Sequence, residues 1–216
     1  MEKSVTVKIC GLTRQEEALY LNEAGADYGG FVFYGPSKRN VTLEQACTIR
    51  KALDPGILTV AVTVSPDVQL ARKLEESGFD ILQVHKELSP EVLHAVQLPV
   101  WYAVNLTDPE KLHEKAGFLA GLPGELSCKI KGILVDAGDF GSGKTFDWNL
   151  TTGDIRKQEL FKERKFILAG GLSASNVREG IELFHPDVVD VSSGVEGNNG
   201  KDRNLVTGFI ERAKKR

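Results

Sequence analysis

Gly25-Ala-Asp27-Tyr-Gly-Gly-Phe31 places the end of a helix, a tight turn, an aspartate and an apolar strand in immediate succession. The same order recurs in Gly78-Phe-Asp80-Ile-Leu-Gln-Val84 and in His185-Pro-Asp187-Val-Val-Asp-Val191. Repetition of one supersecondary unit along a chain is typical of architectures in which equivalent units pack side by side. The three stretches therefore predict a stack of β/α units.

Strand and helix patterns alternate along the rest of the chain. Strand-like runs lie near residues 5–10, 28–33, 57–64, 80–85, 99–105, 131–136, 165–169 and 187–191. Helix-like stretches lie near 14–24, 42–53, 67–77, 89–97, 108–120, 148–163, 173–184 and 202–214, and several follow capping residues such as Thr42, Ser89 and Ser173. Mostly apolar strands fit a parallel sheet that is covered by helices. Eight units in 216 residues give about 27 residues per unit, so we expect one α/β domain over residues 1–216, folded as a (β/α)8 TIM barrel.

The overall composition is that of an ordinary globular protein, with 41% hydrophobic and 26% charged residues. The formal net charge of −3 gives no electrostatic footprint for nucleic acid or a membrane surface, and no apolar stretch is long enough to span a bilayer. The three cysteines, Cys10, Cys47 and Cys128, are odd in number and lack the spacing of metal ligands. We therefore expect a cytoplasmic protein, in a reducing compartment, that binds neither nucleic acid nor membranes.

In a TIM barrel the functional residues lie at the carboxyl ends of the strands. The first predicted strand ends at Cys10, and Lys8 shares a strand face with it because side chains two residues apart point the same way. A cation beside a thiol lowers the thiol pKa, so this pair suggests a reactive thiolate. A buried structural cysteine beside a lysine that extends to solvent explains the same pattern.

One motif points to a different function. Gly138-Asp-Phe-Gly-Ser-Gly143-Lys144-Thr145 matches the P-loop pattern and follows a predicted strand. A P-loop must lead directly into a helix whose N-terminal amides hold phosphate, and Phe146-Asp-Trp-Asn149 is a poor helix start. A P-loop nucleotide triphosphatase is therefore a remote alternative to a glycine-rich loop beside an active site.

Seven segments in order along the chain resemble the phosphoribosylanthranilate isomerase family. They are Lys8-Ile-Cys-Gly-Leu-Thr13, Gly30-Phe-Val-Phe33 with Ser37-Lys-Arg39, Gln83-Val-His85, Val135-Asp136, Gly141-Ser-Gly-Lys-Thr-Phe-Asp-Trp148, Ala169-Gly-Gly-Leu172 with Asn176-Val177, and Asp190-Val-Ser-Ser-Gly-Val-Glu196. The resemblance implies a (β/α)8 barrel of tryptophan biosynthesis that uses neither metal nor organic cofactor. Its reaction is the Amadori rearrangement of N-(5-phosphoribosyl)anthranilate to 1-(2-carboxyphenylamino)-1-deoxyribulose 5-phosphate.

The resemblance also implies roles for individual residues. Asp136 matches the family's general acid and Cys10 its general base. Beside Cys10, Lys8 is then expected to be an auxiliary residue that gives electrostatic support. Arg39 matches the residue that meets the substrate's anthranilate carboxylate. The substrate phosphate is expected at the loops after strands seven and eight, at Gly170, Gly171, Ser192, Ser193 and Gly194.

Some alternatives stay open at this point. His85 ends the fourth strand as either a structural residue or one that faces the substrate. Other phosphosugar barrels, such as related isomerases and epimerases, rely on carboxylate pairs or metal-binding histidines, so Cys10 argues against them. A non-catalytic barrel that binds a phosphorylated ligand is disfavoured because both an acid and a base are present. The chain is compatible with a monomer or a homodimer.

Overall fold

A computed structural model describes residues 4–105, 109–136 and 159–215 of the chain. The strands of the main sheet are Thr6–Cys10 (β1), Tyr28–Val32 (β2), Leu58–Thr63 (β3), Ile81–Val84 (β4), Val100–Asn105 (β5), Ile130–Asp136 (β6), Lys165–Ala169 (β7) and Val188–Val191 (β8), and a small hairpin joins Glu196–Gly197 (β9) to Gly200–Lys201 (β10). The helices are Gln15–Ala24 (α1), Leu43–Arg50 (α2), Val68–Glu76 (α3), Pro90–Ala95 (α4), Pro109–Gly121 (α5), Gly124–Ser127 (α6), Val177–Phe184 (α7) and Arg203–Lys214 (α8). Short 3-10 turns cover Glu159–Phe161 and Ser193–Val195.

The strands β1 to β8 pair in sequence order and close into a barrel, because β8 pairs with β1. Each of these pairings is parallel, so the carboxyl ends of the eight strands meet at one rim. The predicted (β/α)8 barrel is therefore confirmed. In the described part of the chain, no helix has the length and apolar composition that a membrane crossing requires.

Alternate residues of each strand contribute to two separate apolar clusters, because successive side chains in a strand point to opposite faces. One cluster packs the strands against the helices and includes Val7 and Ile9 of β1. The other fills the barrel interior with side chains that include Tyr28, Trp101 and Ile167. The same interior also holds Lys8, Gln83 and Asp190, which are buried polar or charged side chains of the strands.

The aspartate of each repeated stretch joins two neighbouring strands at the amino-terminal end of the barrel. Asp27, ahead of β2, accepts a hydrogen bond from the backbone N–H of Val7 in β1 at 2.8 Å. Asp80, ahead of β4, accepts from the backbone N–H of Thr59 in β3 at 2.7 Å. Asp187, ahead of β8, accepts from the backbone N–H of Phe166 in β7 at 2.9 Å. The repeat therefore marks a bond between adjacent strands.

Two of the predicted helix caps are confirmed and one is wrong. The hydroxyls of Thr42 and Ser89 accept hydrogen bonds from the backbone at the starts of α2 and α4. Ser173 does not cap α7, which begins later, at Val177, with Asn176 in the cap position. The reason is that the Asn176 side chain turns back to accept from the Ser173 N–H at 2.8 Å and folds the preceding loop. The P-loop match and residues 148–158 of the predicted helix over 148–163 lie outside the described residues, and the described end of that stretch contains the 3-10 turn Glu159–Phe161.

Candidate active site

A cavity of about 570 Å³ opens at the carboxyl-terminal rim of the barrel. Most of the predicted site residues line it: Cys10, Arg39, His85, Asp136, Gly170, Gly171, Ser192 and Ser193. Lys8 lies beneath Cys10 in the barrel interior, and Gly194 is not part of the wall. The rim therefore brings together a thiol, a carboxyl group, a guanidinium group and the two glycine- and serine-containing loops.

Cys10 and Lys8 do share the interior face of β1, as the strand period predicts. Cys10 Sγ and Lys8 Nζ each lie 3.1 Å from the position that a β-carbon on Gly30 would take. Lys8 is fully buried and its ammonium donates to both carboxylate oxygens of Asp190 at 2.9 Å. Burial by itself would lower the Lys8 pKa, but attraction to Asp190 and Cys10 outweighs it and raises that pKa, so Lys8 is charged.

The expectation that Lys8 leaves Cys10 with a lowered pKa is wrong. Burial raises the pKa of the Cys10 thiol, and this effect exceeds the lowering caused by Lys8. The neighbouring Asp190 carboxylate raises the Cys10 pKa further, because it cancels much of the Lys8 charge. The free site therefore holds a protonated thiol which, once ionised, is a strong base.

Asp136 is the last residue of β6, a strand that lies across the barrel from β1 and does not pair with it. It is in register with Asn105 of β5 and Ala169 of β7, and it is 7% exposed. Burial favours the uncharged form of a carboxyl group. The segment that follows Asp136, including the glycine-rich stretch expected to cover it, lies outside the described residues.

Arg39 enters the rim from the loop after β2. Its guanidinium donates to Glu196 through Nε at 2.5 Å and through Nη2 at 3.0 Å. Gly11, directly after Cys10, makes room for this side chain, because a β-carbon there would lie 2.5 Å from Arg39 Cδ. One edge of the Arg39 guanidinium is therefore bound to Glu196, and the residue also lines the cavity.

The loops after β7 and β8 are held in defined conformations by glycines and hydrogen bonds. Gly170 and Gly171 adopt φ values of 92° and 61°, in the left-handed region that favours glycine. Asn176 holds this loop by donating to the Gly171 carbonyl at 3.0 Å. In the next loop the Ser192 hydroxyl donates to the Cys10 carbonyl at 2.9 Å, which ties the β8 loop to the end of β1.

Gly194 contributes to this site indirectly. A β-carbon on Gly194 would overlap the carbonyl oxygen of Leu172, so its backbone packs against the β7 loop and keeps the two loops together.

His85 lies beside Gln83 at the end of β4. Gln83 Nε2 lies 2.8 Å from His85 Nε2, so the amide N–H donates to an unprotonated ring nitrogen. Desolvation, together with the charges of Lys8 and Lys115, lowers the pKa of His85 to about 3. His85 is therefore neutral at neutral pH and can hydrogen-bond within the site, but it is not an imidazolium that could act as a general acid.

Sequence reasoning assigned no role to several residues that shape the site, among them Asp190, Gln83, Glu196 and Lys201. Asp190 had a usable signal, because a charged residue in the apolar run Val188-Val-Asp-Val191 needs a partner and Lys8 breaks β1 in the same way. Glu196 ends the seventh matched segment, but neither its role nor that of Lys201 could be read from the sequence, since charged residues in a glycine-containing hairpin usually lie at the surface. Only the fold shows that Lys201 is buried and that Glu196 is 12% exposed beside the rim.

The comparisons with known proteins agree with this geometry. Residues 7–212 match the model of the family described as N-(5'-phosphoribosyl)anthranilate (PRA) isomerase. The chain is 39% identical to an N-(5'-phosphoribosyl)anthranilate isomerase from Streptococcus mutans over 97% of this chain and 98% of that protein. It is also 37% identical to the enzyme of the same name from Thermoanaerobacter pseudethanolicus, over 97% and 98% of the two chains.

Solved structures give the same result. The phosphoribosyl anthranilate isomerase from Thermotoga maritima superposes with a TM-score of 0.80 at 33% identity, over 97% of this chain and 98% of that one. A second structure, a phosphoribosyl anthranilate isomerase in complex with reduced 1-(o-carboxyphenylamino)-1-deoxyribulose 5-phosphate, gives a TM-score of 0.78 at 32% identity over the same shares. With the sequence match, the barrel and the composition of its rim in agreement, this chain belongs to the N-(5'-phosphoribosyl)anthranilate isomerase family.

Proposed function

We propose that this chain catalyses the Amadori rearrangement of N-(5-phosphoribosyl)anthranilate to 1-(2-carboxyphenylamino)-1-deoxyribulose 5-phosphate, with Asp136 as general acid and Cys10 as general base. The observation that carries this proposal is the single cavity that Cys10, Asp136, Arg39 and the Gly170-Gly171 loop line together. It offers one acid, one base and two places for anions, which are the groups that this substrate requires.

The first step needs a proton donor at the furanose ring. Asp136 gives its proton to the ring oxygen, the bond between that oxygen and C1 breaks, and the anthranilate nitrogen lone pair forms a C1=N iminium. A general acid must be protonated when the substrate binds. The burial of Asp136 supports this role, because the uncharged carboxyl group is the form that burial favours.

The second step needs a base at C2 of the opened sugar. Ionised Cys10 removes the C2 proton, the C2–H electrons form a C1=C2 bond, and the iminium nitrogen becomes neutral. The enolamine then gains a proton at C1 and loses the C2 hydroxyl proton, which leaves the ketone. The position of Cys10 on the cavity wall, close to the Lys8 ammonium, supports this role, because a nearby cation stabilises the thiolate form.

The two anionic ends of the substrate find partners on opposite loops. Arg39 suits the anthranilate carboxylate, because the planar guanidinium presents paired N–H donors. The loops at Gly170-Gly171 and Ser192–Gly194 suit the phosphate, since barrels commonly bind phosphate after strands seven and eight. Lys8 supports the thiolate electrostatically, and neutral His85 supplies hydrogen bonding near the ribose. Three free cysteines support a reducing compartment, and we place the reaction in the cytoplasm.

Complementation tests this function. The gene should restore growth without tryptophan to a strain that lacks phosphoribosylanthranilate isomerase, and the Asp136→Asn variant, expressed at the same level, should not. Purified protein that leaves N-(5-phosphoribosyl)anthranilate unconverted, together with failure to complement, would contradict the assignment. Turnover of ATP that needs Mg²⁺ would instead favour the P-loop alternative.

A further inference from the structure

One carboxylate at the rim binds three cations. Glu196 accepts from Arg39 through both of its oxygens, from Lys201 Nζ at 2.8 Å and from Lys38 Nζ at 3.1 Å. Glu196 and Arg39 are each 12% exposed, whereas Lys38 is 73% exposed. The contacts to Arg39 and Lys201 are therefore the sheltered ones, and they are the contacts that can fix a geometry.

Glu196 is itself held in place by the β9–β10 hairpin to which it belongs. It begins β9 and pairs in register with Lys201 of β10. Lys201 is buried, and its ammonium also donates to the backbone carbonyl of Ser192 at 3.1 Å. The backbone N–H of Lys201 donates to the buried carboxylate of Glu17 at 2.8 Å. The hairpin thus fixes Glu196 against both the β8 loop and the first helix.

The charge state of Glu196 is equally fixed. Burial acts to raise its pKa, but the hydrogen bonds from Arg39 and Lys201 outweigh burial and lower the pKa to about 2. Three basic side chains surround this one carboxylate, although burial lowers the pKa of Lys201 against the attraction of Glu196, so basic groups outnumber acidic ones at this corner of the cavity. The cluster can therefore accept a further anion without losing Glu196 as the partner of Arg39.

Two of the guanidinium donors of Arg39 bind Glu196 side by side, which sets the plane of the group as well as its position. The guanidinium has further N–H donors besides these two, and Arg39 lines the cavity. A free arginine side chain would have to lose several rotamers when it binds a ligand, and a held one has already lost them.

We propose that Glu196, supported by Lys201, is a positioning residue that orients Arg39 for the carboxylate of the substrate. The inference rests on the proposed function, in which Arg39 binds that carboxylate. It assigns the β9–β10 hairpin a role in substrate selectivity, through a residue that does not itself touch the reacting atoms.

Simple electrostatics and positioning predict opposite results for the loss of Glu196. Replacement by alanine adds one positive charge to the corner, which by charge alone would tighten the binding of an anionic ligand. If Glu196 acts by orienting Arg39, the same replacement weakens binding, and only for ligands that carry the carboxylate. The sign of the change therefore separates the two explanations.

The test uses two probes, reduced 1-(o-carboxyphenylamino)-1-deoxyribulose 5-phosphate and the same compound prepared from aniline, which lacks the carboxylate. Calorimetry gives the Kd of each probe. The Kd of the aniline-derived compound divided by the Kd of the compound with the carboxylate is the ratio that measures carboxylate selectivity. We expect Glu196→Ala to lower this ratio by roughly tenfold, since a misplaced binding group loses most of its contribution. Glu196→Gln keeps an acceptor for Arg39 and should lose less, while Lys38→Ala, which removes only the exposed contact, should keep the ratio within about twofold.

Thermal melts establish whether each variant is folded. If Glu196→Ala does not fold, Glu196→Gln serves as the test, because the glutamine leaves buried Lys201 with a hydrogen-bonding partner. A ratio that is unchanged in both Glu196 variants, while Arg39→Ala lowers it, would overturn the role of Glu196 and leave that of Arg39 intact. A ratio that Arg39→Ala does not lower would overturn the carboxylate site and, with it, this inference.

Discussion

Cys10 shows what a strand pattern can predict about a reactive residue and where it stops. The period of β1 predicts that Lys8 and Cys10 share a face, and they do. The sign of the pKa shift could not be predicted, because it depends on how deeply the thiol is buried and on Asp190 of a strand far away in sequence. Burial and Asp190 raise the pKa of Cys10 more than Lys8 lowers it.

The two buried charges should move the pH dependence of catalysis in opposite directions. In the free enzyme kcat/KM should rise with pH as Cys10 loses its proton. Lys8 lowers the Cys10 pKa, so Lys8→Met should shift this rise to higher pH by roughly one to three units. Asp190 raises the Cys10 pKa, so Asp190→Asn should shift the rise to lower pH. The measurement is kcat/KM as a function of pH, and shifts of the same sign in both variants would contradict the electrostatic account.

Among the elements, the helix–turn–aspartate–strand repeat predicts the fold because each copy makes the same hydrogen bond between neighbouring strands. Each aspartate satisfies a backbone N–H at the start of the preceding strand, and those strand residues, Val7, Thr59 and Phe166, are nearly fully buried. A buried N–H without a partner is costly, so the repeat stabilises the pairing of neighbouring strands.

Asp80 gives the sharpest test, because its Oδ2 accepts from both the N–H and the hydroxyl of Thr59, each at 2.7 Å. Asp80→Ala should lower the free energy of unfolding by about 1–3 kcal/mol, measured by urea denaturation. Asp80→Asn, which retains an acceptor, should lose less, and exposed Asp54→Ala should change little. The folded Asp80→Ala protein should keep its kcat/KM, since Asp80 lies at the end of the barrel away from the cavity; a loss of activity without a loss of stability would contradict this role.

The limits of prediction follow from the same physics. The eight strands were predicted within one residue of their observed ends, because apolar runs bounded by turn residues leave little choice of register. Helix ends were less accurate: α2 ends at Arg50 rather than 53, and α7 begins at Val177 rather than 173. At both ends loop contacts, such as those of Asn176, replace helical hydrogen bonds, and no local pattern reveals them.

Across the molecule, the site forms because the eight strands close into a barrel. Residues from the ends of β1, β2, β6, β7 and β8 meet in one cavity only because β8 returns to pair with β1. The family resemblance predicted which of these residues meet, and it missed the hairpin residues Glu196 and Lys201 that hold them, whose importance depends on burial rather than on type.

The proposed role of Cys10 as the base can be measured through kcat/KM of the Cys10→Ala variant on N-(5-phosphoribosyl)anthranilate. The loss of a general base predicts a decrease of roughly 10²–10⁴-fold at neutral pH, in a protein that melts close to the temperature of the wild type. A Cys10→Ala enzyme that retains kcat/KM within about tenfold of the wild type would contradict the account.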